Sequence, residues 1–182
     1  HMSARRQRQM CIRDRDDRGQ VSDIPEGVAW ASISAGVYHS CGVDEAGAAY
    51  CWGADGFGQV SEIPEGVTFT LVTVGDAHTC GLDDKGTAHC WGLDNYGQAA
   101  PAADVTFATL SAGGYHTCGL DEKGAAHCFG RDDDGQASPP EVTFTTLSAG
   151  EYHNCGLDDK GAAHCWGSVS YTHLRAHETT DN

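Results

Sequence analysis

Eight cysteines recur as four evenly spaced pairs, and this repeat restricts the fold of the 182-residue chain more than any other sequence feature. Nine residues separate the two cysteines of each pair, and the first cysteines of successive pairs are 39, 38 and 37 residues apart. Self-similarity with such a period is typical of arrays in which one supersecondary unit stacks on the next. The pairs are Cys41 with Cys51, Cys80 with Cys90, Cys118 with Cys128, and Cys155 with Cys165.

The residues between paired cysteines predict a β-hairpin in every repeat. In the second repeat the three-residue loop Asp84-Lys85-Gly86 ends in glycine, as a type I turn closed by a left-handed residue requires. Counting outwards from this loop places Leu82 opposite Ala88 and Cys80 opposite Cys90. Opposed side chains in a non-hydrogen-bonded pair are close enough for a disulfide. Because the other three repeats give the same register, we predict four disulfides, one for each cysteine pair.

Apolar side chains are expected on both faces of this hairpin. Strand alternation places Leu82 on one face and Trp91 on the other, next to Gly81, where the missing side chain leaves room for an indole. Phe69 indicates a further strand that covers the hairpin. A unit that is apolar on both faces must stack against neighbours, as propeller blades do. We therefore predict an all-β fold in which four disulfide-stapled repeats form a β-propeller-like array over residues 16–168.

The two ends of the chain do not follow the repeat. Both resemble translated sequencing-adapter sequence of the kind that contaminates metagenomic assemblies, and His1-Met2 resembles a cloning scar. We expect residues 1–15 to be a disordered tag and foreign leader that includes an accidental Cys11. We expect residues 169–182 to be a disordered foreign tail. The array is then expected to be a fragment of a larger propeller.

Charge, hydropathy and cysteine use exclude several classes of function. The net charge of −15 repels phosphate backbones, so no nucleic-acid partner is expected. No apolar stretch is long enough for a transmembrane helix, so no membrane partner is expected. Four disulfides favour an oxidising compartment, and we predict a secreted or periplasmic protein.

Two recurring motifs resemble the repeats of the regulator of chromosome condensation family, most closely those of its cysteine-bearing bacterial branch. They are Gly-x-x-His-x-Cys-Gly-Leu-Asp-x-x-Gly and Cys-Trp-Gly-x-Asp-x-x-Gly-Gln, with Gly150 to His153, Trp91-Gly92 and Gly97-Gln98 as examples. The resemblance implies a β-propeller. It also implies two kinds of role, since the family includes a chromatin-bound exchange factor and a secreted β-lactamase-inhibiting propeller. The acidic charge disfavours the chromatin role.

The fourth repeat stops at Gly167, and the tail that it lacks is present at the other end of the chain as residues 16–20. The four repeats then form a closed ring, an open array, or an array paired with a second chain. We expect a truncated propeller whose exposed strand edges favour a homodimer.

Aromatic residues provide the candidate ligand contacts. Trp52, Trp91 and Trp166 follow the second cysteine of their repeats, where they either stack on sugars or pack between blades. Phe57 and Tyr96 occupy variable loop positions, where exposed contact residues are common. These five residues are the predicted ligand-binding set.

Metal binding and catalysis receive less support. His78 converges with Cys80 and Cys90 on one hairpin face, but a zinc site there requires reduced thiols, so we interpret this histidine as structural. The acidic loops 94–97 and 132–135 lack the spaced ligands of a calcium-binding EF-hand loop. No nucleophile elbow or phosphate loop is present. We predict no metal, no cofactor and no catalytic residues.

The leading hypothesis is a non-enzymatic binding or scaffold module that recognises an extracellular protein or glycan through its loops. One alternative is an enzyme inhibitor of the β-lactamase-inhibitor type. Another is a carbohydrate-active enzyme that uses carboxylate pairs such as Asp83-Asp84 and Asp158-Asp159.

Overall fold

Twelve β-strands make up the regular structure of the computed structural model, which describes residues 18–168. They are β1 (Trp30–Ala35), β2 (His39–Asp44), β3 (Ala49–Gly53), β4 (Phe69–Val74), β5 (His78–Asp83), β6 (Ala88–Gly92), β7 (Phe107–Ala112), β8 (His116–Asp121), β9 (Ala126–Gly130), β10 (Phe144–Ala149), β11 (His153–Asp158) and β12 (Ala163–Gly167). Within the described range no helix is available to cross a membrane. The all-β prediction is confirmed. The predictions for residues 1–15, Cys11 and residues 169–182 fall outside the described residues.

The strands form four three-stranded antiparallel sheets, and each sheet is one propeller blade. Strand order follows the chain, so blade 1 is β1-β2-β3, blade 2 is β4-β5-β6, blade 3 is β7-β8-β9 and blade 4 is β10-β11-β12. The first strands of neighbouring blades pack together, β1 on β4, β4 on β7 and β7 on β10. The four repeats therefore form an open, partial propeller.

An aspartate shapes the turn of each predicted hairpin. In blade 2, Asp83 Oδ1 accepts hydrogen bonds from the backbone amides of Lys85 and Thr87, at 2.9 and 2.8 Å. Gly86 closes the turn with φ of 78°, a left-handed conformation that favours glycine. The predicted three-residue loop is confirmed. The equivalent glycines of the other blades are Gly47, Gly124 and Gly161, with φ of 86°, 80° and 78°.

All four predicted disulfides are present, and each joins the second strand of a blade to the third. The paired cysteines lie directly opposite each other, with Cα atoms 4.1 Å apart in every blade. This short distance is that of a non-hydrogen-bonded antiparallel pair. The hairpin of every blade is thus closed covalently near its middle.

The first strand of each blade carries a β-bulge that the sequence did not reveal. In blade 2, Phe69 lies opposite Asp83 whereas Leu71 lies opposite Leu82, so the register shifts at Thr70. The hydroxyl of Thr70 donates to the carbonyl of Leu82 at 3.1 Å. A bulge increases the local twist of a strand, and the same shift occurs in the other three blades.

Blades 2 and 3 each bury one face against the blade before them and the other against the blade after them, whereas blades 1 and 4 each have one such contact among the described residues. We call the face towards the preceding blade the leading face and the face towards the following blade the trailing face. Cys41 and Val43 on the trailing face of blade 1 pack with Phe69, Val72 and Trp91 on the leading face of blade 2. Blades 2 and 3 repeat this contact through Cys80, Leu82, Phe107 and Leu110. The apolar core therefore lies between blades, as the two-faced hairpin predicted.

The glycine in the middle strand of each blade makes room for an aromatic ring, but not for the predicted one. A Cβ atom at Gly81 would lie 2.4 Å from two ring carbons of Phe69. Trp91 lies beside that phenyl ring, with the two ring centroids 5.9 Å apart. The aromatic residue over Gly81 therefore comes from the first strand of the blade, not from the third.

Candidate binding face

The loops at one edge of the propeller form the candidate site. In each blade the loop between the first and second strands lies at the same edge as the end of the third strand. Accordingly, the amide of Ala54 donates to the carbonyl of Tyr38, and the amide of Arg131 donates to that of Tyr115, both at 2.9 Å. The hairpin turns lie at the opposite edge. We call the edge that carries these shared loops the loop face.

A buried glutamine attaches the segment after each of the strands β3, β6 and β9 to the next blade. The carbonyl of Gln59 accepts hydrogen bonds from Thr79 Oγ1 at 3.2 Å and from Trp91 Nε1 at 3.0 Å. Its side-chain oxygen accepts from the amide of Phe57 at 2.8 Å. We call residues 55–59 a docking segment. Residues 94–98 and 132–136 are the docking segments on blades 3 and 4, and Gln20 contacts blade 1 in the same way.

Large aromatic side chains project from the loop face. Phe57 and Tyr96 precede the Gly-Gln pair of their docking segments and are 56% and 51% exposed. Tyr38 and Tyr152, from the loops before β2 and β11, are 47% and 38% exposed. Since the anchoring glutamines Gln59 and Gln98 are buried, the rings of Phe57 and Tyr96 are held at the surface by fixed backbone. Exposed aromatic side chains on a rigid frame are typical of contact surfaces for other molecules.

Two tyrosines and an arginine form one ordered cluster on this face. The rings of Tyr96 and Tyr115 meet edge to face, with centroids 5.8 Å apart. The guanidinium of Arg131 lies 5.8 Å from the centroid of Tyr96, and its Nε donates to Asp133 Oδ2 at 2.8 Å. Cation–π and T-shaped contacts of this kind restrict the ring without covering it. Tyr96 is therefore oriented before any ligand binds.

Two carboxylates lie near the propeller axis on the same face. Burial, followed by the charge of Glu151, raises the pKa of Asp76. A hydrogen bond with Glu151 raises the pKa of Tyr152. A shallow depression of ≈ 220 Å³ opens here, lined by one glycine from each blade, namely Gly36, Gly75, Gly113 and Gly150, together with these carboxylates. The loop face thus combines exposed aromatic rings with negative charge.

The predicted ligand-binding residues fall into two groups. Phe57 and Tyr96 lie on the loop face. Trp52 and Trp91 are only 5% exposed, and their indole nitrogens donate to the carbonyls of Gln20 and Gln59, both at 3.0 Å. Trp166 is half-buried against Phe144, with centroids 5.5 Å apart. The three tryptophans therefore pack within and between blades, so the candidate site is built without them.

Several loop-face residues were not in the predicted set. They are Tyr38, Tyr115, Tyr152 and Arg131. A signal for the tyrosines existed in the repeat, because tyrosine precedes the histidine of the Gly-x-x-His motif in three of the four repeats. The position of Arg131 beside Tyr96 depends on how a docking segment lies on the next blade, and no spacing in the sequence reveals that contact.

The repeated histidines of the Gly-x-x-His motif connect blades. His39 Nε2 lies 2.8 Å from Thr79 Oγ1 of the next blade. Since the Thr79 hydroxyl donates to the carbonyl of Gln59, it accepts from His39, whose Nε2 therefore carries a proton. Burial lowers the pKa of His39 to about 4 and that of His78 to about 4. His78 and His116 make the same kind of bond to Thr117 and Asn154, at 2.9 and 2.8 Å.

In each carboxylate pair of the hairpin turns, the first aspartate makes hydrogen bonds that stabilise its own hairpin. Asp83 accepts two backbone hydrogen bonds through Oδ1, while its Oδ2 lies 3.0 Å from His89 Nε2. Its neighbour Asp84 is exposed at the tip of the turn. Asp158 is engaged in the same way with His164, and that hydrogen bond is the main cause of its lowered pKa. In both pairs one carboxylate is committed to holding its own loop.

A comparison with protein-family models identifies four repeats in the chain. The model described as "Regulator of chromosome condensation (RCC1) repeat" matches residues 30–59, 69–98, 107–136 and 144–171. Each match begins at or near the first strand of a blade, and the first three end at the glutamine of a docking segment. Among curated protein sequences, none matches the chain.

Solved propeller structures superimpose on the four blades. The ectodomain of the receptor kinase CR4 from Physcomitrella patens has a TM-score of 0.70 and 30% identity, with 82% of this chain and 44% of that chain covered. The CRINKLY WD40 ectodomain of Arabidopsis thaliana ACR4 has a TM-score of 0.68 and 24% identity, with 81% and 53% covered. Prp20p from Saccharomyces cerevisiae has a TM-score of 0.69 and 18% identity, with 80% and 47% covered. The chain thus spans about half the length of these structures.

Proposed function

Because this chain belongs to the regulator of chromosome condensation repeat family, we propose that it is a non-enzymatic binding module that recognises an extracellular protein through its loop face. The single observation that carries the proposal is the set of exposed aromatic rings fixed on that face by the docking segments. Tyrosine, arginine and phenylalanine are enriched at protein interfaces, and the aromatic rings provide large contact areas at small entropic cost.

The chemistry of the face favours a macromolecule over a small ligand. The axial depression of ≈ 220 Å³ is smaller than the roughly 300–1,000 Å³ of typical small-molecule pockets. Asp76 and Glu151 lie beside it, and the chain as a whole carries a charge of −15. A partner with a basic patch would match both the carboxylates and the aromatic rings.

We further propose a secreted or periplasmic location and a place in the cysteine-bearing bacterial branch of the family. The four disulfides support an oxidising compartment. The 30% identical CR4 propeller belongs to an ectodomain, which supports the same location. An enzyme inhibitor of the β-lactamase-inhibitor type would be one case of such a protein binder. The alternative of a carbohydrate-active enzyme gains no support from the turn carboxylates, because one member of each pair holds its loop.

Affinity capture with a paired variant tests the loop face. The biotinylated chain is used to capture partners from an extracellular protein library, and a glycan array is probed in parallel. Replacement of both Phe57 and Tyr96 by alanine should weaken capture at least about tenfold, because exposed aromatic anchors carry much of an interface's affinity. Lys123→Ala, an exposed hairpin residue at the opposite edge, is the control and should leave capture unchanged.

Equal capture by the double variant would reject the loop face as the binding surface. Binding to glycans alone would reject a protein partner but would leave the loop face as the binding surface. Inhibition of class A β-lactamases by the chain, lost in the double variant, would identify the inhibitor case.

A further inference from the structure

The two end faces of the open array carry the two halves of one interface. Residues 18–168 form three blade-to-blade interfaces, and each joins a trailing face to a leading face through equivalent residues. The trailing face of blade 4 and the leading face of blade 1 carry equivalent residues of the same chemical kinds at the same positions, but no described blade packs on them. We propose that the trailing face of one copy of this chain binds the leading face of a second copy.

Exposure of repeat-equivalent residues shows which contacts the end faces lack. On the leading side, Val72 and Leu110 are 4% and 7% exposed, whereas their equivalent Ile33 in blade 1 is 61% exposed. On the trailing side, Leu82 is 4% exposed, whereas its equivalent Leu157 in blade 4 is 42% exposed. Both faces therefore leave in solvent an apolar side chain that inner blades bury.

The polar half of the interface is also preserved at the two ends. In the inner interfaces a buried histidine donates to the next blade, as His39 does to Thr79 at 2.8 Å. His153 is the equivalent donor on blade 4 and is exposed. Ser40 is the equivalent of Thr79 on blade 1, and its hydroxyl donates to the carbonyl of Gln20 at 3.2 Å, as Thr79 does to Gln59. Ser40 is thereby oriented to accept a hydrogen bond from His153 of a second copy.

Backbone contacts repeat in the same way. The amide of Ala112 donates to Thr73 Oγ1 at 2.8 Å, and the amide of Ala149 donates to Ser111 Oγ at 2.9 Å, each across an inner interface. Ala35 and Ser148 stand at the equivalent positions on the two end faces and are exposed. The apolar contacts, the histidine hydrogen bond and the backbone hydrogen bonds thus all predict the same head-to-tail arrangement of two copies. A second copy is the occupant that presents all of these partners together.

Such an interface is heterologous, because it joins two different surfaces of the same chain. A heterologous contact leads either to a closed ring or to an open chain of copies, and either form buries Ile33 against Leu157 of the neighbour. This inference concerns the ends of the array and does not depend on the loop face, so the two proposals stand or fall separately.

Complementary variants give a sharp test by analytical ultracentrifugation of the whole chain. The wild-type chain should associate as its concentration rises. Ile33→Asp and Leu157→Asp should each abolish self-association, because each places a charge in the apolar contact and leaves every copy without one of the two faces. A mixture of the two variants should form a one-to-one complex, since one variant keeps its trailing face and the other its leading face. Lys123→Asp, in the exposed hairpin turn of blade 3 and away from both end faces, should associate like the wild type.

A double-mutant cycle tests the polar contact. His153→Ala and Ser40→Ala should each weaken association about tenfold, and the double variant should be little weaker than either, because both remove one hydrogen bond. Circular dichroism and a free-thiol assay check that every variant remains folded with its disulfides closed. A chain that stays monomeric at all concentrations would overturn the proposal. So would a Leu157→Asp variant that associates like the wild type, or a mixture that forms no complex.

Discussion

His39 and His78 show how a single side chain links two blades and makes the fold sensitive to pH. Each is wholly buried, is neutral, and donates from Nε2 to a threonine of the next blade. Protonation at Nδ1 would place a charge where no described partner exists, since Nδ1 of both rings is buried without a hydrogen bond. Neutral histidine is therefore a condition of close blade packing.

Stability should decrease as pH falls from 6.5 towards 4. Burial lowers the folded-state pKa of His39 and His78 from 6.5 to about 4. The unfolded chain therefore takes up protons in this window before the folded chain does, and acidification favours unfolding. Each histidine should contribute a loss of up to about 3 kcal/mol. The carboxylates of Asp121 and Asp158, whose pKa values are lowered from 3.8, would reduce stability only at still lower pH.

Urea unfolding of the oxidised chain at several pH values measures this effect. His78→Gln keeps a neutral side chain at every pH and should flatten the dependence, although it lowers stability at neutral pH through poorer packing. A free energy of unfolding that does not change between pH 6.5 and 4 would show that the buried histidines are solvated on acidification.

Two glycines with the same backbone angle should respond differently to alanine. Gly86 and Gly97 both have φ of 78°, so a side chain strains the backbone equally at both. A Cβ atom at Gly86 would lie 2.8 Å from the carbonyl oxygen of Phe107, whereas nothing lies within 4 Å of one at Gly97. Gly97→Ala should cost about 1–2 kcal/mol from the left-handed conformation alone. Gly86→Ala should cost clearly more, as measured by urea unfolding. Equal costs would mean that the next blade moves aside freely.

At the scale of the element, the hairpin follows from the sequence because all of its determinants are local. A turn glycine, an aspartate and two cysteines at fixed spacing define the register of Cys80 with Cys90, and the structure has that register. The bulge at Thr70 and the docking of Gln59 were not predictable in this way. Both depend on contacts with another strand or another blade, and such contacts leave no periodic signal in a single repeat.

Removal of one disulfide should weaken the chain without unfolding it. In the chain-entropy model a loop of about eleven residues contributes about 3 kcal/mol. Replacement of both Cys80 and Cys90 by serine should therefore lower the free energy of unfolding by about that amount, as measured in urea under non-reducing conditions. A much smaller loss would indicate that the unfolded hairpin stays compact without its disulfide.

The four disulfides should differ in the rate of reduction. Cys41, Cys80 and Cys118 are 0% exposed because a following blade covers them, whereas Cys165 of blade 4 is exposed. Dilute dithiothreitol followed by alkylation and peptide mass spectrometry should therefore detect reduction of Cys155–Cys165 first. The experiment is done at low protein concentration, so that no second copy binds the trailing face of blade 4. Uniform reduction of all four would imply global unfolding as the route of access.

At the scale of the whole molecule, the number of blades followed from the number of repeats. The open arrangement was one of the possibilities that the sequence left undecided, because ring closure depends on the rotation between blades and no single repeat encodes that rotation. The loop face was predicted in part. Phe57 and Tyr96 were identified from their loop positions, whereas the burial of Trp52 and Trp91 became clear only from how blades pack.

Protection from hydrogen exchange should follow blade position. Blades 2 and 3 are covered on both faces, whereas blades 1 and 4 are each covered on one face among the described residues. In a linear array each unit gains stability from its neighbours, so the inner blades should open less often. Exchange measured by mass spectrometry at low protein concentration should be slower in β5 and β8 than in β2 and β11. The reverse order would mean that blades 1 and 4 are more stable than the inner blades.

Because of the docking segments, the sequence repeat and the structural blade do not coincide. Gln59 comes at the end of one repeat, yet its hydrogen bonds are made to Thr79 and Trp91 of the following blade. A gene duplication or deletion whose boundary lies between Gln59 and β4 therefore moves a whole blade together with its docking segment, which binds the following blade. A boundary before residue 55 separates the docking segment from blade 1, whose third strand precedes it in the chain. The boundary that suits recombination in this chain lies in the loop 60–68, and chimeras joined there should tolerate exchange of whole repeats.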